Sequence, residues 1–164
     1  LGIVAVSLAT VILPELSRAA RDKNHEHGSK TLATSIRLML FIALPSVAGL
    51  ITLNREIVFT IFRYGQFSIQ DGNRTASALL FFSVGLGFIS ILKIIVPAFY
   101  AIKDTKTPVK GAFLALISNF IFNLMFYKTL RVGGIALATS LAALVNLGYL
   151  LWKLEKKYWK IEKI

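Results

Sequence analysis

A chain of 164 residues that is 55% hydrophobic and 16% charged is too apolar for an ordinary soluble domain, where about a quarter of residues carry charge. The formal charge of +11 would suit nucleic acid, but the basic residues sit at the ends of apolar blocks instead of on one helical face or among stacking aromatics, which excludes that partner. With no cysteine, disulfides and thiolate zinc sites are excluded as well.

The apolar blocks read as five membrane spans, since about 20 residues of helix cross the hydrocarbon core. The first, 1–16, ends in Ile12-Leu13-Pro14-Glu15-Leu16-Ser17. It starts without Met and already inside a helical pattern, so the chain is expected to be a piece of a longer protein. Polar residues 18–30 follow as a loop, in which His25-Glu26-His27 reads as solvated; alternate loop residues seldom hold a metal unaided. The second span covers about 34–53, with Arg37 snorkelling to the headgroups and Pro45 predicting a kink.

Residues 54–64 place Ile57, Val58, Ile61 and Phe62 on one face, the pattern of a short interfacial helix, stopped by Gly65. Ser68 and Asp71 form a capping box before the third span, 75–102. A turn over 103–106 leads to Thr107-Pro108, an N-cap and first-turn proline for the fourth span, 109–127. Residues 128–131 connect tightly to Gly133-Gly134, which opens the fifth span, 133–152. The fold class is therefore all-α, a polytopic transmembrane bundle.

Orientation follows from the basic residues, which favour short cytoplasmic loops. Arg18, Arg21, Lys23, Lys30, Arg37, Lys103, Lys106, Lys110 and the lysines after Trp152 fall on one side. Arg55, Arg63, Arg74, Lys128 and Arg131 fall on the other, so the first set is cytoplasmic. Trp152, Tyr158 and Trp159 among lysines suit an interface with anionic membrane lipids.

Lys93 lies inside the third span, where a charge costs about 2.5–3.5 kcal/mol and is expected to face protein or water. Its helical stripe holds Leu86, Ser90, Pro97 and Tyr100. Two readings stay open: a cationic contact for an anionic substrate or a switching carboxylate, or a structural lysine satisfied by the backbone carbonyl that Pro97 frees or by a buried acid. Glu15, next to Pro14, is a candidate gate or counter-ion, or an ordinary carboxylate at a wet helix end.

Asn119 and Asn123 share a face with Ser118 on the fourth span, and Thr139 and Asn146 share a stripe on the fifth. The short connection makes these helices antiparallel neighbours, so the two asparagines are expected to meet Thr139. Such oxygens suit a hard cation such as sodium if a carboxylate joins them. The plainer alternative is interhelical hydrogen bonding worth about 0.6 kcal/mol per contact. No HExxH, Gly-x-Ser-x-Gly, phosphate-cradling glycine loop or pair of intramembrane carboxylates is present, so binding and transport are expected rather than enzymatic catalysis.

Several segments together resemble one family. These are Thr10-Val11-Ile12-Leu13-Pro14-Glu15-Leu16-Ser17-Arg18, Arg63-Tyr64-Gly65-Gln66-Phe67, and Pro97-Ala98-Phe99-Tyr100-Ala101-Ile102-Lys103-Asp104-Thr105-Lys106-Thr107-Pro108. With Gly133-Gly134-Ile135-Ala136-Leu137-Ala138-Thr139-Ser140 and Asn146, they resemble the MurJ (MviN) lipid II flippases of the MOP exporter superfamily, along essentially the whole chain. The resemblance implies helices eight to twelve, most of the second lobe of a MOP-type transporter, in the bacterial plasma (inner) membrane. It implies that the full protein flips the undecaprenyl-linked peptidoglycan precursor to the outer leaflet by alternating access, with the remaining helices as partners. It also implies a sodium site built from helices seven, eleven and twelve, to which Asn119, Asn123, Ile135 (backbone carbonyl) and Thr139 contribute from the last two. Family members can carry Asp where this chain has Asn123, and an amide brings oxygen without charge. The rival readings are an exporter of another lipid-linked oligosaccharide or of drugs, and a membrane scaffold without transport.

Overall fold

The computed structural model describes residues 1–62 and 68–157, which form helices and short turns. The expected Arg63-Tyr64-Gly65-Gln66-Phe67 motif, Tyr158 and Trp159 lie outside the described residues. Five helices run in order: α1 (Gly2–Arg21), α2 (His25–Thr52), α3 (Asn54–Phe62), α4 (Ile69–Ala101) and α5 (Lys106–Lys157). All but α3 are long and apolar enough to cross a membrane.

The 52 residues of α5 are not one rod. Arg131, at φ 50° and ψ −122°, breaks the helix, and the chain doubles back. Gly111 on the first limb faces Tyr149 and Leu150 on the second, and Gly134 packs on the Phe126 carbonyl. The two limbs, 106–130 and 132–157, are thus an antiparallel hairpin. It is pinned to α4, where Gly133 meets Phe81 and Ser77, and Gly85 meets Ser140. These pairs advance together along both chains, so the second limb runs parallel to α4.

α4 is the central post, packing on every other helix. Leu16 of α1, Leu32 and Met39 of α2, Ile94, Ile95 and Phe99 of α4, and Leu150 and Leu154 of α5 are fully buried in the core. Around it the surface stays apolar: Phe41, Phe113, Leu116 and Phe120 are all well exposed, as expected for side chains bathed in lipid tails.

Two local readings need correction. The polar stretch 18–30 is mostly helical: α1 continues to Arg21 and α2 begins at His25, so His25-Glu26-His27 is a first helical turn. Asn24 makes this possible, its side chain accepting from the His27 amide at 3.0 Å. At α5 the cap is Asp104, not Thr107. Its carboxylate accepts from the Thr107 amide at 3.0 Å and from the Thr107 hydroxyl at 2.8 Å, turning the threonine into a capped residue. The short helix expected over 54–64 is present as α3: Val58 is buried and Ile57 half-buried, while Ile61 and Phe62 on the same face stay exposed. The Ser68 cap forms as expected, its hydroxyl accepting from the Asp71 amide at 3.1 Å and donating to the Asp71 carboxylate at 2.6 Å.

Candidate functional site

The α5 hairpin brings together the four residues expected to contribute oxygens. Asn123 Nδ2 donates to Asn119 Oδ1 at 2.8 Å, and Asn119 Nδ2 donates to Thr139 Oγ1 at 3.3 Å. Thr139 Oγ1 in turn donates to the Ile135 carbonyl at 3.0 Å. The i,i+4 spacing stacks each pair on one face, and the reversal at Arg131 aligns the two faces. Hydrogen bonds therefore run in one direction across the limbs. The one oxygen left over is Asn123 Oδ1, buried and without a partner, beside a cavity of about 390 Å³ lined by Asn123, Leu124, Tyr127, Lys128 and Ile135.

In the arrangement seen here, the four oxygens of this chain do not by themselves make a cation site. Three of the four oxygens already accept hydrogen bonds, and both asparagines turn N–H groups into the cluster. Among the described residues no carboxylate joins these hydrogen bonds or lines the adjoining cavity. A hard cation in an apolar setting needs anionic oxygen to offset its lost hydration. The cluster is a neutral relay that ties the limbs together. Asn146, expected on the Thr139 stripe, is set apart from it: its buried Oδ1 rests against Gly111 and has no hydrogen-bond partner.

The candidates on the Lys93 stripe separate into different places. Lys93 is half-buried, its ammonium at the start of α1, where a Cβ added to Gly2 would lie 3.7 Å from Nζ. Among the described residues it makes no hydrogen bond or ion pair, so neither the carbonyl freed by Pro97 nor an acid satisfies it. Ser90 is buried, with its hydroxyl donating to the Leu86 carbonyl at 2.7 Å. Tyr100 is exposed at the far end of α4, seven residues and about 10 Å of helix rise from Lys93. Glu15 is exposed on α1, thirteen residues from Gly2 and therefore about 20 Å along the helix from the Lys93 ammonium.

A second cavity, about 680 Å³, escaped the sequence reading. It opens where α1 ends, α2 begins and α4 turns into α5, and Arg18, Arg21, His25, Tyr100 and Lys103 line it. In sequence these residues looked like topology signals. Their convergence depends on the packing of α1 on α4, which brings Arg18 and Lys103 to the wall of one cavity.

Long apolar helices carrying a half-buried ammonium, unpaired among the described residues, and a half-buried amide relay define a multi-pass helical membrane protein. The sequence profile of the family described as lipid II flippase MurJ matches residues 1–164. A probable lipid II flippase MurJ of Vibrio cholerae is 34% identical over 92% of this chain and 29% of its own length. One from Rickettsia prowazekii is 38% identical over 92% of this chain and 30% of its own length. A solved lipid II flippase MurJ in an inward closed conformation superposes with a TM-score of 0.78 at 33% identity, over 94% of this chain and 32% of that one. The chain belongs to the lipid II flippase MurJ family, and it spans about a third of the length of the relatives it matches.

Proposed function

We propose that the protein containing this chain is a lipid II flippase of the bacterial plasma membrane. It carries the lipid-linked peptidoglycan precursor from the cytoplasmic to the outer leaflet by alternating access. The observation that carries this reading is the agreement in fold with a solved flippase over 94% of the chain, at 33% identity. The relatives are named as flippases, which are transporters, and no catalytic step is part of the proposal.

Within that activity the chain supplies two physical elements. Lys93 holds an unneutralised ammonium inside the bundle, at the contact between α4 and the start of α1. A pyrophosphate passing through a low-dielectric interior needs such a cation, and the lysine is stabilised in turn while the anion is present. The α5 hairpin is tied by its relay and pinned to α4 at Gly85, contacts that support its acting with α4 as one unit. Alternating access needs rigid units of this kind rocking about a fixed site. No cation is assigned to the relay.

Complementation tests the reading. The full-length protein should support growth of a strain depleted of its own flippase, and Lys93→Ala should abolish that rescue at normal membrane levels. Failure of the parent to rescue, with the protein inserted and abundant, would overturn the flippase assignment. Full rescue by Lys93→Ala would remove only the lysine from the mechanism.

A further inference from the structure

The basic cavity at the cytoplasmic end has features that a topology signal does not need. Arg18 and Arg21 come from the last turn of α1, His25 from the first turn of α2, and Lys103 from the α4–α5 turn. No carboxylate lines it. Of the acids nearby in sequence, Asp22 pairs with the cavity's own Arg21 at 3.2 Å, Glu26 pairs with Lys30 at 2.7 Å, and Asp104 accepts from the Thr107 amide at 3.0 Å. The Arg18 and Lys103 side chains make no hydrogen bond or ion pair among the described residues.

The backbone adds a second observation. α1 and α4 end in matching turns. The Asn24 amide bonds the Ala19 carbonyl at 2.9 Å as the Asp104 amide bonds that of Phe99 at 3.0 Å. In this turn the residue before the last donor is left-handed, and glycine is the usual occupant. Here both positions are lysine, Lys23 at φ 53° and Lys103 at φ 60°. Lys103 lines the cavity and Lys23 lies between the lining residues Arg21 and His25. Strain of this kind, retained where glycine would relieve it, points to a use for the side chains.

We propose that this cavity binds the phosphate of an anionic phospholipid of the cytoplasmic leaflet. The Arg18 guanidinium and the Lys103 ammonium hold the phosphate oxygens, the Tyr100 hydroxyl adds a donor, and Arg21, paired through Nε with Asp22, adds positive charge at the rim. The cavity sits where apolar helix gives way to charged turns, which is headgroup depth. Below Arg18, on the same face of α1, Val11 and Pro14 are exposed and offer a track for an acyl chain. A ligand presenting both phosphate and hydrocarbon at that depth is a phospholipid. The site is independent of which lipid the protein transports.

Native mass spectrometry of the full-length protein, titrated with phosphatidylglycerol or phosphatidylcholine, tests the proposal. One phosphatidylglycerol should be retained in preference to phosphatidylcholine. Each cation removed should weaken it about fivefold. Lys103→Gly removes the ammonium and suits the left-handed backbone, so it should lose phosphatidylglycerol without a fall in Tm. Arg18→Gln should lose it to the same degree, and Lys128→Gln, at the opposite membrane face, should retain it. Equal retention by Lys103→Gly, Arg18→Gln and the parent would overturn the proposal, as would equal retention of the two lipids. Displacement by millimolar inorganic phosphate at fixed ionic strength would make this a soluble-anion site. Stoichiometric displacement by undecaprenyl pyrophosphate would make it a station for the substrate. Either result would overturn the phospholipid assignment while leaving the complementation test untouched.

Discussion

The Ser140 side chain fills the space that a side chain on Gly85 would need, and its hydroxyl donates to the Phe81 carbonyl at 2.7 Å. This single contact lets α4 and the second limb of α5 approach backbone to backbone. It also joins the hairpin to the post on which α1 and α2 pack.

Gly85→Ala should therefore destabilise the full-length protein by about 1–3 kcal/mol, the usual cost of overpacking a tight interface. Ser140→Gly should restore part of that loss when combined with it, because both changes act on one contact. Thermal unfolding in detergent reads both effects. Simple additivity of the two changes would show that the interface relaxes and that the close approach is not required.

Asn123→Asp is expected to change the ionic sensitivity of the hairpin. In the parent, exchanging sodium for N-methylglucamine should leave Tm unchanged, because the relay satisfies itself. The aspartate loses the Nδ2 donor to Asn119 and buries a charge, a change that costs about 3–5 kcal/mol when nothing pairs with it. Sodium should then recover a large part of that loss. A sodium-dependent Tm in the parent would mean that the relay opens to admit a cation.

Arg131→Gly should raise stability. The hinge residue sits at φ 50° and ψ −122°, a conformation that favours glycine, with an exposed side chain. Relief of about 1–3 kcal/mol of backbone strain outweighs the roughly 0.5–1 kcal/mol that glycine adds to unfolded-state entropy. A fall in Tm would show that the arginine side chain holds the turn through contacts of its own.

The sequence exposed the features of this fold that are local or periodic. Unbroken apolar blocks announce transmembrane helices, Ser68 and Asp71 announce a cap, and the spacing of Asn119 and Asn123 announces a polar face that a short turn must fold onto Thr139. Competing local chemistry hid others. Thr107-Pro108 has the form of a helix start, but Asp104 reaches the same amide and takes its place. Ser90 shares a stripe with Lys93, yet a serine inside a helix readily bonds the carbonyl four residues back, and its hydroxyl is spent there. The orphaned oxygens of Asn123 and Asn146, and the shared cavity of Arg18 and Lys103, more than eighty residues apart, depend on helix packing and have no local signature.

Lys93→Met separates a structural lysine from a functional one. A lysine paired inside the bundle would leave its partner charge stranded when removed, and stability would fall. The Lys93 ammonium has no such partner among the described residues and rests against the backbone at Gly2. Its desolvation is therefore an unrecovered cost, which methionine, similar in length and apolar, avoids. The variant should unfold at a higher temperature than the parent, by about 1 kcal/mol given that the lysine is only half-buried. It should also fail to rescue a flippase-depleted strain. Gained stability with lost activity is the pattern of a charge kept for a passing anion. A drop in Tm would instead place an acidic partner for Lys93 elsewhere in the full-length protein.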